Sequence, residues 1–322
     1  MGLFLVLEAL ERGLLQCVEA LKNGLIQGAI YALVALGYTM VYGILMLINF
    51  AHGEVVMVGA YTAVVTLAGC AGSGLLESAG LAACLALALT ASMAVCGLYG
   101  LALERVAYRP LRHAPPLAPL ISAIGMSIVL QNFVALTKGS APLTIPAYVP
   151  EWAGNWDAPA VGSPVRVTWG EVTIVAVCVA VMAGLWAFVQ CTRLGKAMRA
   201  TSQDKVMAGL VGIPIDRVIA ATFFIGSVLA AVAGLLQASY TTQVTYTLGF
   251  LAGLKAFTAA VLGGIGNIPG AMVGGILLGV AESLGILAFG AEYKELYAFL
   301  VLLLVLIVRP RGLMGERVAE KV

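Results

Sequence analysis

Long apolar runs, broken by short polar or glycine-proline stretches, fill the chain from one end to the other. Residues 24–45 form the first run able to cross roughly 30 Å of hydrocarbon, a distance that takes about 20 helical residues. The run stops at Asn49-Phe50-Ala51-His52-Gly53-Glu54, flanked by Gly43 and Gly59, and apolar residues then continue to Gly69. Further runs cover residues 81–103, 120–136, 172–189, 218–238, 250–265, 271–289 and 296–308. This pattern predicts an all-α, polytopic integral membrane protein of about eight to ten transmembrane helices. The whole of residues 1–322 reads as one transmembrane domain.

Two segments depart from the apolar pattern outside the spans. In residues 1–22, Glu8, Glu11, Arg12, Gln16 and Glu19 recur at helical spacing and make one polar stripe on a leucine-rich helix. An amphipathic helix lying in the membrane interface is the expectation there. Without a basic start or a small-residue cleavage site, the segment is expected to be retained. Residues 138–170 are Pro-rich and carry Trp152, Trp156 and Trp169, the composition of an external loop seated at headgroup level.

Composition agrees with the membrane assignment, since 61% of residues are hydrophobic and 11% charged, against about a quarter charged in soluble domains. The net charge of +2 carries no nucleic-acid signal, because the cations gather in short loops rather than over one face. Three clusters hold three, five and four of the 18 Lys and Arg residues. The first is Arg105, Arg109 and Arg112, with His113 beside them; the second is Arg193, Lys196, Arg199, Lys205 and Arg217; the third is Arg309, Arg311, Arg317 and Lys321. Cationic loops stay in the cytoplasm. Two spans separate the first cluster from the second and four separate the second from the third, so all three fall on one side. Three spans before the first cluster put the N-terminus outside; an N-terminus inside requires one early segment to cross incompletely, with the His52 break as its place.

The second cluster lies in the longest charged interruption, residues 193–217. Within it Met207, Leu210 and Val211 share a side at i, i+3 and i+4, Arg199 and Asp204 mark the charged side, and Gly212-Ile213-Pro214 closes the segment. Such an amphipathic helix fits either the groove of a soluble partner or the membrane surface.

Polar residues inside the apolar runs are the remaining candidates. Asn49, His52 and Glu54 make either a turn between spans or irregular backbone at membrane depth, which must line protein or water and so belongs to a permeation path. Gln131 stands near the far end of its span. Asn267 sits in the Gly263-Gly264-Ile265-Gly266-Asn267-Ile268-Pro269-Gly270 turn, which forces two helices to lie antiparallel with close backbones. Lys255 and Glu282 both stand roughly 20 Å from that turn at 1.5 Å per residue. They are therefore expected to neutralise each other, with snorkelling of Lys255 to the interface as the alternative. Neither H-x-x-x-H, Ser-His-Asp nor phosphate-loop spacing occurs, so no catalytic residue, metal site or cofactor on this chain is expected. The six cysteines are scattered in apolar segments and read as small buried hydrophobes.

Several blocks resemble a known family: residues 37–61 (GYTMVYGILMLINFAHGEVVMVGAY), 109–132 (RPLRHAPPLAPLISAIGMSIVLQN), the 193–217 loop, 257–279 (FTAAVLGGIGNIPGAMVGGILLG) and 308–315 (VRPRGLMG). They are similar, in order, to the LivH-type permease subunit of branched-chain amino acid ABC importers. The resemblance implies a bacterial inner-membrane subunit for branched-chain amino acids, paired with a second, LivM-type permease. It also implies a periplasmic substrate-binding protein that delivers substrate and two cytoplasmic ATPase subunits that bind ATP and dock on residues 193–217. Thr201 and Ser202 depart from the Glu-Ala-Ala opening of the general docking signature. A urea or short-amide permease is the nearest rival, and an ion-coupled secondary carrier using His52, Glu54, Lys255 and Glu282 is the rival of another class.

Overall fold

The computed structural model describes residues 2–112, 114–115, 117–146, 167–309 and 312–315, with side chains from residue 13 onward. Eleven α-helices carry the described fold: α1 (Gly2–Leu45), α2 (His52–Gly72), α3 (Leu75–Leu103), α4 (Leu117–Lys138), α5 (Trp169–Cys191), α6 (Arg193–Gln203), α7 (Lys205–Leu210), α8 (Ile215–Thr241), α9 (Leu248–Gly263), α10 (Ile268–Phe289) and α11 (Lys294–Val308). Seven of them are long and apolar enough to cross a membrane: α1, α2, α3, α4, α5, α8 and α10. Helices α9 and α11, with 16 and 15 residues, reach only about 24 Å and 23 Å at 1.5 Å per residue. Two short strands, β1 (Leu143–Thr144) and β2 (Gln243–Val244), pair antiparallel beyond the ends of α4 and α8.

Helices α1, α2 and α8 form the centre, and their buried side chains are apolar or small almost throughout. The closest packing is between α1 and α10, which run antiparallel. There Gly24 and Gly28 meet Val280 and Ile276, and a Cβ at Gly28 would stand 2.8 Å from the Ile276 Cα. Removing side-chain bulk lets the two backbones touch where no hydrophobic drive separates helix from lipid.

Sidedness follows from contacts at the helix ends. Lys22, in the first half of α1, pairs with Glu171 at the start of α5 at 3.0 Å. At the other end of α1, the Leu45 carbonyl accepts a hydrogen bond from Lys205 Nζ at 3.3 Å. The tail closes on the same side: Leu313 N–H and Met314 N–H donate to the Leu262 and Gly263 carbonyls at 2.8 and 2.9 Å. Thus the loop carrying Lys205, the turn between α9 and α10 and the tail lie together, and the N-terminal end of α1 lies opposite.

Two expectations change. Residues 2–45 form one continuous helix, so the N-terminal segment is not a separate in-plane helix; Gly13 and Gly24 alone do not break a run of good helix formers. Side chains of Glu8, Glu11 and Arg12 lie outside the described residues, as do His113, most of the 138–170 loop with Trp152 and Trp156, and Arg311, Arg317 and Lys321. The 193–217 loop holds two helices rather than one amphipathic segment. Asp204 leaves helical geometry (φ −154°, ψ 110°) and its carboxylate accepts from Val206 N–H and Met207 N–H at 2.8 and 3.0 Å, capping α7. A side chain that caps so well stops one helix and starts the next.

Candidate translocation site

The polar break after α1 is irregular backbone between two helices. Residues 46–51 leave the helix, with Met46 in the left-handed region at φ 58°. The chain turns back into the bundle, and α2 begins at His52 against Gly37 and Gly226: a Cβ on Gly37 would run into the imidazole. Gly37 lies eight residues before Leu45, so the His52 ring reaches a level about 12 Å inside the end of α1 at 1.5 Å per residue.

The break collects three of the polar candidates. Asn49 is buried and its Oδ1 accepts from Tyr108 OH at 2.9 Å. The His52 ring packs edge-on against Tyr38, centroids 4.9 Å apart, and its Nε2 has no hydrogen-bond partner among the described residues. Glu54 is fully buried; Ser127 Oγ on α4 donates to its Oε1 at 3.1 Å, while Oε2 has no partner among the described residues. Opposite stands Gly249 on α9, where any side chain would collide with the Glu54 carboxylate. Beside this cluster a cavity of about 170 Å³ is walled by Tyr38, Phe50, Ile124, Ser127, Phe250 and Leu254, with Gly253 behind it. Ile124 and Phe250 are exposed, so the cavity opens on the outer face of the bundle between α4 and α9.

A larger cavity, about 440 Å³, lies between α3, α5 and α8. Leu85, Leu89, Ile174, Val177 and Leu235 dominate its walls, and none of the buried charges of the bundle centre reaches it. Both cavities carry polar side chains: Thr168, Glu171, Thr173, Ser239 and Tyr240 in the larger, Tyr38 and Ser127 in the smaller.

Lys255 and Glu282 meet at 3.1 Å, each almost fully buried. They belong to a larger cluster. Glu295 lies 3.1 Å from Lys255, Lys294 lies 3.5 Å from Glu282, and Tyr31 OH donates to both Glu282 oxygens at 3.3 and 3.1 Å. This cluster ties α1, α9, α10 and α11 together, and none of its residues lines the smaller cavity. Asn267 stands in the turn between α9 and α10, where it caps α10 by accepting from Gly270 N–H at 2.9 Å and donates to the Met314 carbonyl at 2.8 Å. Its amide suits a turn that must satisfy free N–H groups. Gln131 is half-buried on α4; one turn earlier, Ser127 is the residue that reaches Glu54.

On the side that carries Lys205, Val206, Met207, Leu210 and Val211 present an apolar surface, 60–77% exposed. Arg199 instead turns to Gln190 Oε1 at 2.6 Å, and Gly212, at φ 87°, closes α7. Sequence reasoning missed the ion cluster beneath: Arg112 pairs with both Glu104 and Asp216, and Arg109 pairs with Asp216 at 3.1 Å. Lys205, next to it, is held below the ordinary lysine range by burial and then by the nearby Arg112 charge. Ser127 was also missed, although small residues at spacing four, Pro119, Ala123 and Ser127, mark the buried side of α4.

The family model described as branched-chain amino acid transport system, permease component, matches residues 20–308. The chain belongs to this family. Its relatives include the high-affinity branched-chain amino acid transport system permease protein BraD of Pseudomonas aeruginosa, 49% identical over 306 residues, covering 95% of this chain and 98% of that protein. LivH of Escherichia coli K12, a permease protein of the same description, is 45% identical over 314 residues, covering 95% and 97%. A probable LivH of Methanocaldococcus jannaschii is 25% identical over 307 residues, covering 92% and 91%. The matched residues 20–308 take in the break before His52 and the exposed α7 face.

Proposed function

We propose that this chain is the inner-membrane permease subunit of an ATP-driven importer for branched-chain amino acids. It contributes half of the translocation path as a single transmembrane domain. In this reading a LivM-type permease supplies the other half, a periplasmic binding protein delivers substrate, and two cytoplasmic ATPases bind the ATP. The chain itself is a transport subunit without enzymatic chemistry or a cofactor of its own.

The observation that carries the proposal is the mechanical link from α7 to the break before His52. The exposed residues Val206, Met207, Leu210 and Val211 stand ready for a partner groove. Lys205 at the start of the same helix holds the Leu45 carbonyl. Leu45 ends α1, and two turns earlier α1 carries Tyr38, which packs on His52 and walls the cavity. A push on α7 therefore reaches the cavity through one rigid helix. Arg199, Asp204 and Gly212 shape that loop, and Met207, Leu210 and Val211 make the contact.

The test is substrate uptake by the complete importer in liposomes. Labelled leucine, isoleucine and valine are expected to accumulate, and urea and acetamide are not. Accumulation of urea in preference to leucine would overturn the assignment in favour of the amide permease.

A further inference from the structure

The ion cluster around Arg112 joins segments far apart in sequence. The Arg112 guanidinium pairs with Glu104 on one side and Asp216 on the other, and Arg109 also holds Asp216, at 3.1 Å. Asp216 stands in the first turn of α8, two residues after Pro214. Glu104 stands where α3 passes into a π-helical turn, Glu104–Tyr108; such turns recur at functional sites. At the far end of that turn Tyr108 packs on Phe223, ring centroids 5.0 Å apart, and donates its hydroxyl to Asn49 Oδ1 at 2.9 Å. The chain of contacts that starts at Asp216 therefore ends inside the break between α1 and α2. The two halves of the Arg112 bridge differ in strength. The Glu104 side chain is 5% exposed, and a buried ion pair is costly to break because it strands a charge. The Asp216 side chain is 60% exposed, and a pair that water screens so well contributes little.

We infer that Arg112 is a positioning residue for transport: anchored on Glu104, it ties the break at Asn49 to the start of α8 through a releasable pair with Asp216, a second coupling arm beside that of Lys205. Lys205 acts just before the break, on the Leu45 carbonyl, and Tyr108 acts inside it. Both arms start from the 193–217 loop, and they start side by side, since Lys205 lies close enough to Arg112 to feel its charge. The turn also reaches α4: Ser122 Oγ donates to the Ala107 carbonyl at 3.2 Å. A shift of Arg112 is thereby passed to the helix that brings Ser127 to Glu54.

This inference rests on the transport reading, and the experiment separates the two. In the complete importer reconstituted in liposomes, leucine taken up and substrate-stimulated ATP hydrolysis are measured in the same vesicles, and their ratio is independent of how much variant protein assembles. Asp216→Asn removes the charge at the releasable end. It is expected to lower leucine per ATP about fivefold, the lower end of the range for coupling between two sites, with stimulated hydrolysis retained. Asp216→Glu keeps the carboxylate and restores most of the ratio. Tyr108→Phe keeps the ring on Phe223, removes the hydroxyl from Asn49 and lowers the ratio to a similar extent. Because both changes cut one arm, the double variant is no worse than either single one, whereas independent effects would multiply. A wild-type ratio in Asp216→Asn or Tyr108→Phe, whatever the uptake, a ratio as low in Asp216→Glu as in Asp216→Asn, or a multiplied loss in the double variant would overturn the inference while leaving the transport function standing. A wild-type complex that moves no branched-chain amino acid would overturn both.

Discussion

Replacing Lys255 by methionine and Glu282 by glutamine, singly and together, tests whether the buried charges of the outer half hold the bundle. Each side chain is 6% or less exposed, and the pair closes at 3.1 Å. Breaking one partner of such a pair costs about 3–5 kcal/mol, since the other charge stays buried. Here each survivor has a second neighbour: Glu282 keeps Lys294 at 3.5 Å and Lys255 keeps Glu295 at 3.1 Å. Both neighbours are more than two-fifths exposed, so water screens them and they offset only part of the loss. Each single variant should therefore lose about 3 kcal/mol, the lower end of the buried-pair range. The double variant removes both charges and should lose less than the sum, by about 1–3 kcal/mol of coupling. Equilibrium unfolding in mixed micelles, followed by helix signal, measures all four corners of the cycle. Losses that add to within about 0.5 kcal/mol would refute the reasoning.

Three further outcomes are expected. Leu210→Asp should abolish substrate-stimulated ATP hydrolysis while membrane insertion stays intact; normal stimulation would remove α7 from the docking role. Asp204→Ala frees two N–H groups at the start of α7 and should destabilise that helix by about 1 kcal/mol, seen as faster amide exchange at Val206 and Met207. Unaltered exchange there would show that the cap does not hold the helix. For Lys205, the folded value lies below the ordinary 10.5, so the unfolded chain binds more protons between the two values and stability rises with pH through that alkaline window. Lys205→Met should flatten that rise, and an undiminished slope in unfolding measurements between those limits would assign it to another group.

Much of the architecture could be read from residue order because helical rise is fixed and apolar run length must match the bilayer. Counting from Ile268 set Lys255 and Glu282 level, and they do meet. The charge clusters likewise indicated which loops share a side, and contacts of Lys205, Leu313 and Met314 tie those loops together. Other features depended on tertiary geometry. That the His52 ring reaches well inside the end of α1 follows from the turn at Met46 and the glycine at position 37, neither of which announces it. Glu54 stood out as an intramembrane acid, but its partner Ser127 did not, because one hydroxyl in an apolar helix is equally at home bonding its own backbone. Asn267 showed only as an amide in an apolar stretch, while its position three residues before Gly270 makes it a helix cap. At the 193–217 loop, periodicity found the exposed apolar triplet yet missed the break at Asp204, where a local side-chain bond overrides the helical pattern.

The most direct measurement is leucine uptake by liposomes containing this chain, its partner permease, the ATPases and loaded binding protein, with and without ATP and with an ionophore present. Coupling through α7 requires uptake that depends on ATP inside the vesicle compartment holding the ATPases, persists when ion gradients are dissipated and disappears in Leu210→Asp. Uptake that proceeds without ATP and collapses with the ionophore would contradict the account and point to an ion-coupled carrier.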